Sequence, residues 1–178
     1  MLTSCFPRRS RTPFQRVGCP TRSDQRSCDI GWDAAGRAFV TGELCGTDVI
    51  SNPHGILRRD LDGTLVHVAG ASSGSELDGA LALEARFWGP GSIAIDPGGD
   101  IYFVEWQNNR IRRIDAATQI VTTIVGLRAP GAGIAYAPAV EQPMNSPWDL
   151  VIDGTHIHTS ELSGQWVRTI WDALLVTP

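Results

Sequence analysis

Two imidazoles alternate along His156-Ile157-His158, a spacing that puts both rings on one face of a strand. Paired imidazoles hold zinc or copper once a third ligand joins them, and the remaining histidines, His54 and His67, lie far off in sequence. The pair stops short of a metal site, and polar residues on the outward face of a strand account for it. Asp96-Pro97-Gly98-Gly99-Asp100 has the oxygen density of a calcium loop but neither its alternate-oxygen pattern nor its closing Glu, so it reads as a hairpin turn. There is no Gly-x-Ser-x-Gly elbow, and Ser72-Ser73-Gly74-Ser75 has no base beside it. A phosphate loop needs a lysine, and the chain has none; its 15 basic residues are all Arg. What remains is contact chemistry. Trp106, in a loop beside Asn108 and Asn109, reads as an exposed contact residue, with Arg110 flanking the same surface. Trp88 and Trp148 each sit close to a proline and read as plugs between structural layers. No catalytic set assembles and no cofactor motif is present.

The elements that must position these residues are written three times. Ser27-Cys28-Asp29-Ile30-Gly31-Trp32-Asp33 returns as Pro90-Gly91-Ser92-Ile93-Ala94-Ile95-Asp96 and again as Pro147-Trp148-Asp149-Leu150-Val151-Ile152-Asp153. A period of this length marks a propeller or a solenoid. Within the middle copy, Ile93–Ile95, Ile101–Val104, Arg110–Ile114 and Ile120–Val125 are short β-branched and aromatic runs separated by turns, which is the pattern of antiparallel β structure. The first copy repeats that order, with Asp62-Gly63 as its hairpin signal and extra length at 46–55. The third supplies Leu150–Ile152, His156–Thr159, Gln165–Ile170 and Leu174–Thr177. Asp33, Asp96 and Asp153 close the first strand of each copy, and Glu43, Glu105 and Glu161 close the second. Arg58, Arg112 and Arg168 follow an apolar residue in the third strand, so a Glu–Arg pair is expected inside each copy.

Charge is unevenly spread. Residues 1–27 carry six Arg against Asp24, whereas 28–178 carry nine Arg against 18 acids, which gives +5 and −9 for the overall −4. An acidic body argues against nucleic acid as its partner. Residues 1–27 are an Arg-rich segment without apolar periodicity, expected to be disordered, and they contain no secretory apolar region. Cys5, Cys19, Cys28 and Cys45 share the first quarter of the chain at spacings that fit no zinc pattern. Two disulfides, as in an extracellular or periplasmic protein, and simple burial of small residues both remain open. No run of 18 apolar residues offers a membrane-spanning helix.

The run Pro90-Gly91-Ser92-Ile93-Ala94-Ile95-Asp96, then Gly99-Asp100-Ile101-Tyr102-Phe103-Val104-Glu105, then Asn108-Asn109-Arg110-Ile111-Arg112 resembles an NHL repeat. Val121-Thr122-Thr123-Ile124-Val125-Gly126 is similar to that family's closing strand, and Asp78-Gly79-Ala80 through Ala85 to the loop between blades of bacterial NHL proteins. The resemblance spans 28–178 and is strongest over 63–126. The first copy lacks the leading Pro, and the third has Trp148 where Gly is usual and Ser163-Gly164-Gln165 in place of Asn-x-Arg. It implies an all-β fold: a β-propeller of four-stranded antiparallel blades, about three present, near 28–70, 88–126 and 146–178. Propellers close with four to eight blades. A longer gene product, a homodimer of six blades, or a degenerate strand set in 1–29 would each supply the difference. The expected function is a non-catalytic scaffold presenting loops to a protein, peptide or glycan. A metal-dependent lyase or hydrolase with its site at the propeller axis, using His156 and His158, is the alternative.

Overall fold

In the computed structural model, which describes residues 29–42, 54–75, 78–127, 130–131, 138–163 and 165–171, the repeated apolar runs are strands and the Asp- and Gly-rich segments between them are turns. The first sheet is a meander of β1 (Ile30–Trp32), β2 (Ala38–Thr41), β3 (Ile56–Arg59) and β4 (Leu65–Ala69). A short parallel pair, β5 (Ser72–Ser73) and β6 (Arg86–Phe87), lies in the connection that follows. The second sheet is β7 (Pro90–Ile95), β8 (Ile101–Glu105), β9 (Arg110–Ile114) and β10 (Val121–Val125). The third contains β11 (Pro147–Asp153), β12 (His156–Glu161) and β13 (Trp166–Ile170). Every pairing within these three sheets is antiparallel and sequential. The 1–27 segment, the four cysteines, Glu43 and the expected strand Leu174–Thr177 lie outside the described residues.

Each sheet is sealed by the next. Period-two alternation sends Ile101 and Phe103 to one face of the second sheet and Tyr102 and Val104 to the other. The first set joins Ile93, Ile114 and Val121 against Phe39, Ile56 and Ala69 of the first sheet. The second set joins Ile111, Ile124 and Val125 against Leu150, Ile157 and Ile170 of the third. Strand β8 is therefore buried along its whole length, as expected of a strand covered on both faces. Phe87 and Phe103 meet at 4.8 Å between ring centroids, tilted by 59°. The first strands β1, β7 and β11 lie side by side, which places them innermost. This is the fan of stacked sheets of a β-propeller segment, and it agrees with the reading of the repeat.

The connection between the first two sheets does more than span a gap. Gly79 and Ala82 donate to Val121 O and Gln119 O, Val121 donates to Ala80 O, and Leu81 bridges Ile120. Residues 79–82 thus run along β10 and cover an edge that would otherwise be unpaired. The small side chains Ala82 and Ala85 are buried there, in the seam between the sheets. Two glycines permit close passage at the ends of β4 and β10. Gly70 (φ +92°) and Gly126 (φ +107°) are left-handed, and a Cβ on them would fall 2.4 Å from His54 O and 2.3 Å from Asn109 O.

Candidate binding face

The second strand of each sheet ends at the level where the first begins, so Pro90 pairs with Glu105 and Pro147 with Glu161. One end of the molecule therefore gathers the β8–β9 and β12–β13 loops together with the connections that enter β7 and β11. This loop face is held by a buried polar network. The Glu105 side chain is fully buried. Its Oε1 accepts the Trp88 amide at 2.8 Å and a hydrogen bond from Asn108 Nδ2. Its Oε2 accepts Arg110 Nε at 2.6 Å and faces Arg112 Nη1 at 3.4 Å. Arg112 continues to Asp78 at 3.2 Å, and Asp78 accepts both the amide and the hydroxyl of Thr123 at 2.8 Å. Two carboxylates thus balance two guanidiniums, which is the condition for charge to be buried at all. Burial, with Arg110 alongside, lowers the Arg112 pKa from the usual guanidinium value, while Glu105 and Asp78 oppose that.

The expected Glu–Arg pair recurs in the third sheet, where Glu161 meets Arg168 at 2.8 Å and accepts the Asn145 amide at 2.6 Å. The first sheet differs. There Phe39 is paired with Arg58, as Tyr102 is with Arg113, so Arg58 stands one register place away from Arg112. Arg58 binds Asp60 at 2.6 Å, matching Arg113 with Asp115 at 2.9 Å. Counting on from these pairs, Gly42 stands at the position of Glu105.

A second device links successive sheets. Gly89 (φ +67°) and Ser146 (φ +53°) each precede the proline that opens the next sheet. Their amides donate to the residue entering the third strand of the sheet before: Gly89 to His54 Nδ1 at 3.2 Å, Ser146 to Asn109 Oδ1 at 2.9 Å. A third link lies between the innermost strands. Ser92 Oγ is 2.8 Å from Asp29 Oδ2 and 2.6 Å from Asp149 Oδ1, and accepts the Leu150 amide at 3.2 Å. The hydroxyl has a single hydrogen, which it donates to one of the two carboxylates at a time, and each neighbouring sheet presents one within reach. An irregularity in the pairing between Pro90 and Ile93 frees Ser92 to turn that way. Sequence reasoning missed this trio, although Asp29, Ser92 and Asp149 share the third place of the repeated heptad and are its polar members between apolar neighbours.

The turns at the far end use the repeated aspartates. Asp33 accepts the Ala35 and Arg37 amides at 3.0 and 2.8 Å, and Asp96 accepts the Asp100 amide at 2.9 Å. Asp153 pairs with His156 across a tight turn. Partial burial pushes the Asp33 carboxyl up, but the Arg37 amide and guanidinium more than reverse this and hold it below the ordinary carboxylate value.

Sequence reasoning placed Asn108, Asn109 and Arg110 on an exposed patch, and here the structure corrects it. Asn108 and Asn109 are buried because they cap the turn and latch the neighbouring sheet, and Arg110 is 3% exposed because its guanidinium neutralises Glu105. Trp106 is half-buried and packs against the seam between the second and third sheets. Its ring lies over Gly89, whose added Cβ would fall 2.4 Å from the indole nitrogen, and meets Trp148 edge-on at 6.5 Å. Trp88, expected to plug a seam, is 49% exposed: its amide is tied to Glu105 while its ring stays outside. His158 Nδ1 lies 3.0 Å from Thr169 Oγ1, and the His156 ring packs edge-on against Trp171. Among the described residues no group of three or more His, Cys, Asp or Glu is placed to hold a metal.

No family model matches the chain. NHL repeat-containing protein 2 of Gallus gallus is 34% identical over 128 residues, which is 68% of this chain and 17% of that protein. The proteins of the same name from Bos taurus and Homo sapiens are 29% and 28% identical over 68% and 76% of this chain. This chain belongs to the NHL repeat-containing proteins. It spans 17–19% of the length of those curated relatives. Among solved structures, a protein of unknown function from Bacteroides thetaiotaomicron superposes with a TM-score of 0.60 at 18% identity, over 79% of this chain and 46% of that one. An auxiliary nutrient binding protein from Bacteroides ovatus gives 0.59 at 21% identity, over 83% and 38%. In this NHL segment, then, the motif residues Glu105, Asn109, Arg110 and Arg112 hold sheets together, and the tryptophans beside them meet solvent.

Proposed function

We propose that this NHL segment is a non-catalytic binding scaffold whose contact surface is the loop face carrying Trp88, Trp106 and Trp148. The observation that supports the reading is the edge-on Trp106–Trp148 pair beside the half-exposed Trp88. Trp88 and Trp106 stand in segments tied to Glu105, which accepts the Trp88 amide, and Trp148 lies at the start of β11, two residues after the Ser146 that Asn109 latches. Aromatic rings on a rigid support bind flat or apolar partner groups at small entropic cost. A protein, a peptide or a glycan presents such groups, and the acidic body repels polyanions. The propeller neighbour described as a nutrient binding protein is in keeping with a binding role.

The test is a glycan array and an immobilised peptide library probed with the wild-type chain and with Trp88→Ala and Trp148→Ala. Capture that is lost in both variants, with far-UV circular dichroism unchanged, supports the reading. Capture that survives both sinks it.

A further inference from the structure

The two latches between successive sheets do one task with different chemistry. His54 Nδ1 accepts the Gly89 amide at 3.2 Å, and Asn109 Oδ1 accepts the Ser146 amide at 2.9 Å. Each acceptor stands two residues ahead of a matching isoleucine, Ile56 or Ile111. An amide oxygen accepts at any pH. A ring nitrogen accepts only in the neutral imidazole, because both nitrogens of imidazolium carry hydrogen. A proton on Nδ1 would face the Gly89 N–H with a second donor and break the latch.

Gly89 is where that matters most. Its amide is held by His54, its carbonyl accepts the Trp106 amide at 3.3 Å, and the Trp106 indole lies over its Cα. Trp88 is its neighbour in the chain. The main chain of His54 has no room to follow: a Cβ on Gly70 would fall 2.4 Å from its carbonyl oxygen. We infer that His54 is an acid-released latch, whose protonation frees the Gly89 amide and loosens the Trp88–Gly89 entrance to β7 while the Asn109–Ser146 latch stays closed. Phe87 against Phe103 keeps the seam itself packed, so the event is a local opening and not unfolding.

The titratable and charged groups on the described elements around His54 are His67, Arg86 and Glu105. His67 Nε2 lies 2.8 and 2.9 Å from the Ala69 and Gly70 carbonyls and so already carries hydrogen; a proton on its other nitrogen breaks neither contact. Arg86 runs along Gly74. Glu105 is engaged by the Trp88 amide, Asn108 and Arg110. None of these takes over the Gly89 amide. The effect on ligand capture rests on the binding reading of this face; the latch does not.

The test follows the Gly89 and Ser146 amides of the 178-residue chain by NMR and hydrogen exchange at about pH 7.5 and about pH 5, either side of the imidazole titration. These amides are preferred to tryptophan fluorescence because His156 packs on Trp171 and would alter its emission as it titrates. Protection of Gly89 is expected to fall about fivefold in acid, the worth of one hydrogen bond, with Ser146 unchanged. His54→Asn, which copies the other latch, is expected to keep Gly89 protected at both pH values, and His54→Phe to lose the protection at both. Gly89 protection that does not change with pH in the wild type, or that falls equally in His54→Asn, overturns the inference. Capture on the glycan array and peptide library is expected to depend on pH in the wild type and not in His54→Asn. A latch that opens in acid while nothing is captured at either pH supports the latch and sinks the binding reading alone.

Discussion

Asn109 accepts the backbone amide of Ser146 at 2.9 Å, and in doing so joins the turn of one sheet to the entrance of the next. Asn109 is itself left-handed, at φ 51°, a conformation that asparagine tolerates better than most side chains. One residue thus serves a turn and a seam. His54 repeats the second task with Gly89 one sheet earlier.

Replacing Asn109 separates these tasks. Asn109→Gly keeps the turn and loses the seam bond, with an expected cost of about 1 kcal/mol. Asn109→Ala loses both and is expected to cost about 2 kcal/mol. Urea denaturation of the two variants measures the difference, and equal losses would show that the backbone conformation contributes nothing.

Glu105 is the hub of the buried network, so Glu105→Gln is expected to be severe. It leaves Arg110 and Arg112 under-compensated, at a cost of about 3–5 kcal/mol. Equilibrium denaturation tests this. A loss below about 1 kcal/mol would mean that the pair contributes no more than a surface ion pair.

Tyr102 makes the opposite case. Its ring is fully buried, and its hydroxyl has no hydrogen-bond partner among the described residues. Desolvation raises the phenol pKa well above its usual value. Tyr102→Phe removes an unsatisfied polar atom and little volume, so thermal unfolding is expected to be unchanged or shifted upward. A clear drop in Tm would contradict this.

Acid should destabilise the fold through its turns. The Asp33 carboxyl titrates below its ordinary value when folded, as does Asp115, held by the Thr118 amide and hydroxyl. A depressed carboxyl stabilises in full above its unfolded pKa, and the gain is lost as pH falls through the folded value. Stability is therefore expected to be flat from neutrality to about pH 5 and to fall below about pH 4. Asp33→Asn should make that decline shallower in urea titrations at stepped pH, and an unchanged slope would remove Asp33 from the account.

By itself the sequence determined the architecture. Three copies of Ile-Ala-Ile-Asp-type strands and their turns demand stacked antiparallel sheets, because a period-two apolar strand must bury its oily faces and turn residues act within a few positions of themselves. The Glu105–Arg112 pairing was legible in part for the same reason, since both residues belong to one hairpin. Tertiary structure decided which side chains of the NHL motif meet solvent. Asn109, Arg110 and Trp88 are all polar-tipped or amphipathic residues in or beside two connections at one end of the second sheet, and their types do not distinguish a latch from a contact. Only the stacking of the sheets did, by bringing Ser146 over Asn109 and leaving Trp88 outside. The trio of Ser92, Asp29 and Asp149 joins positions 63 and 57 residues apart, and convergence of the innermost strands alone brings them together.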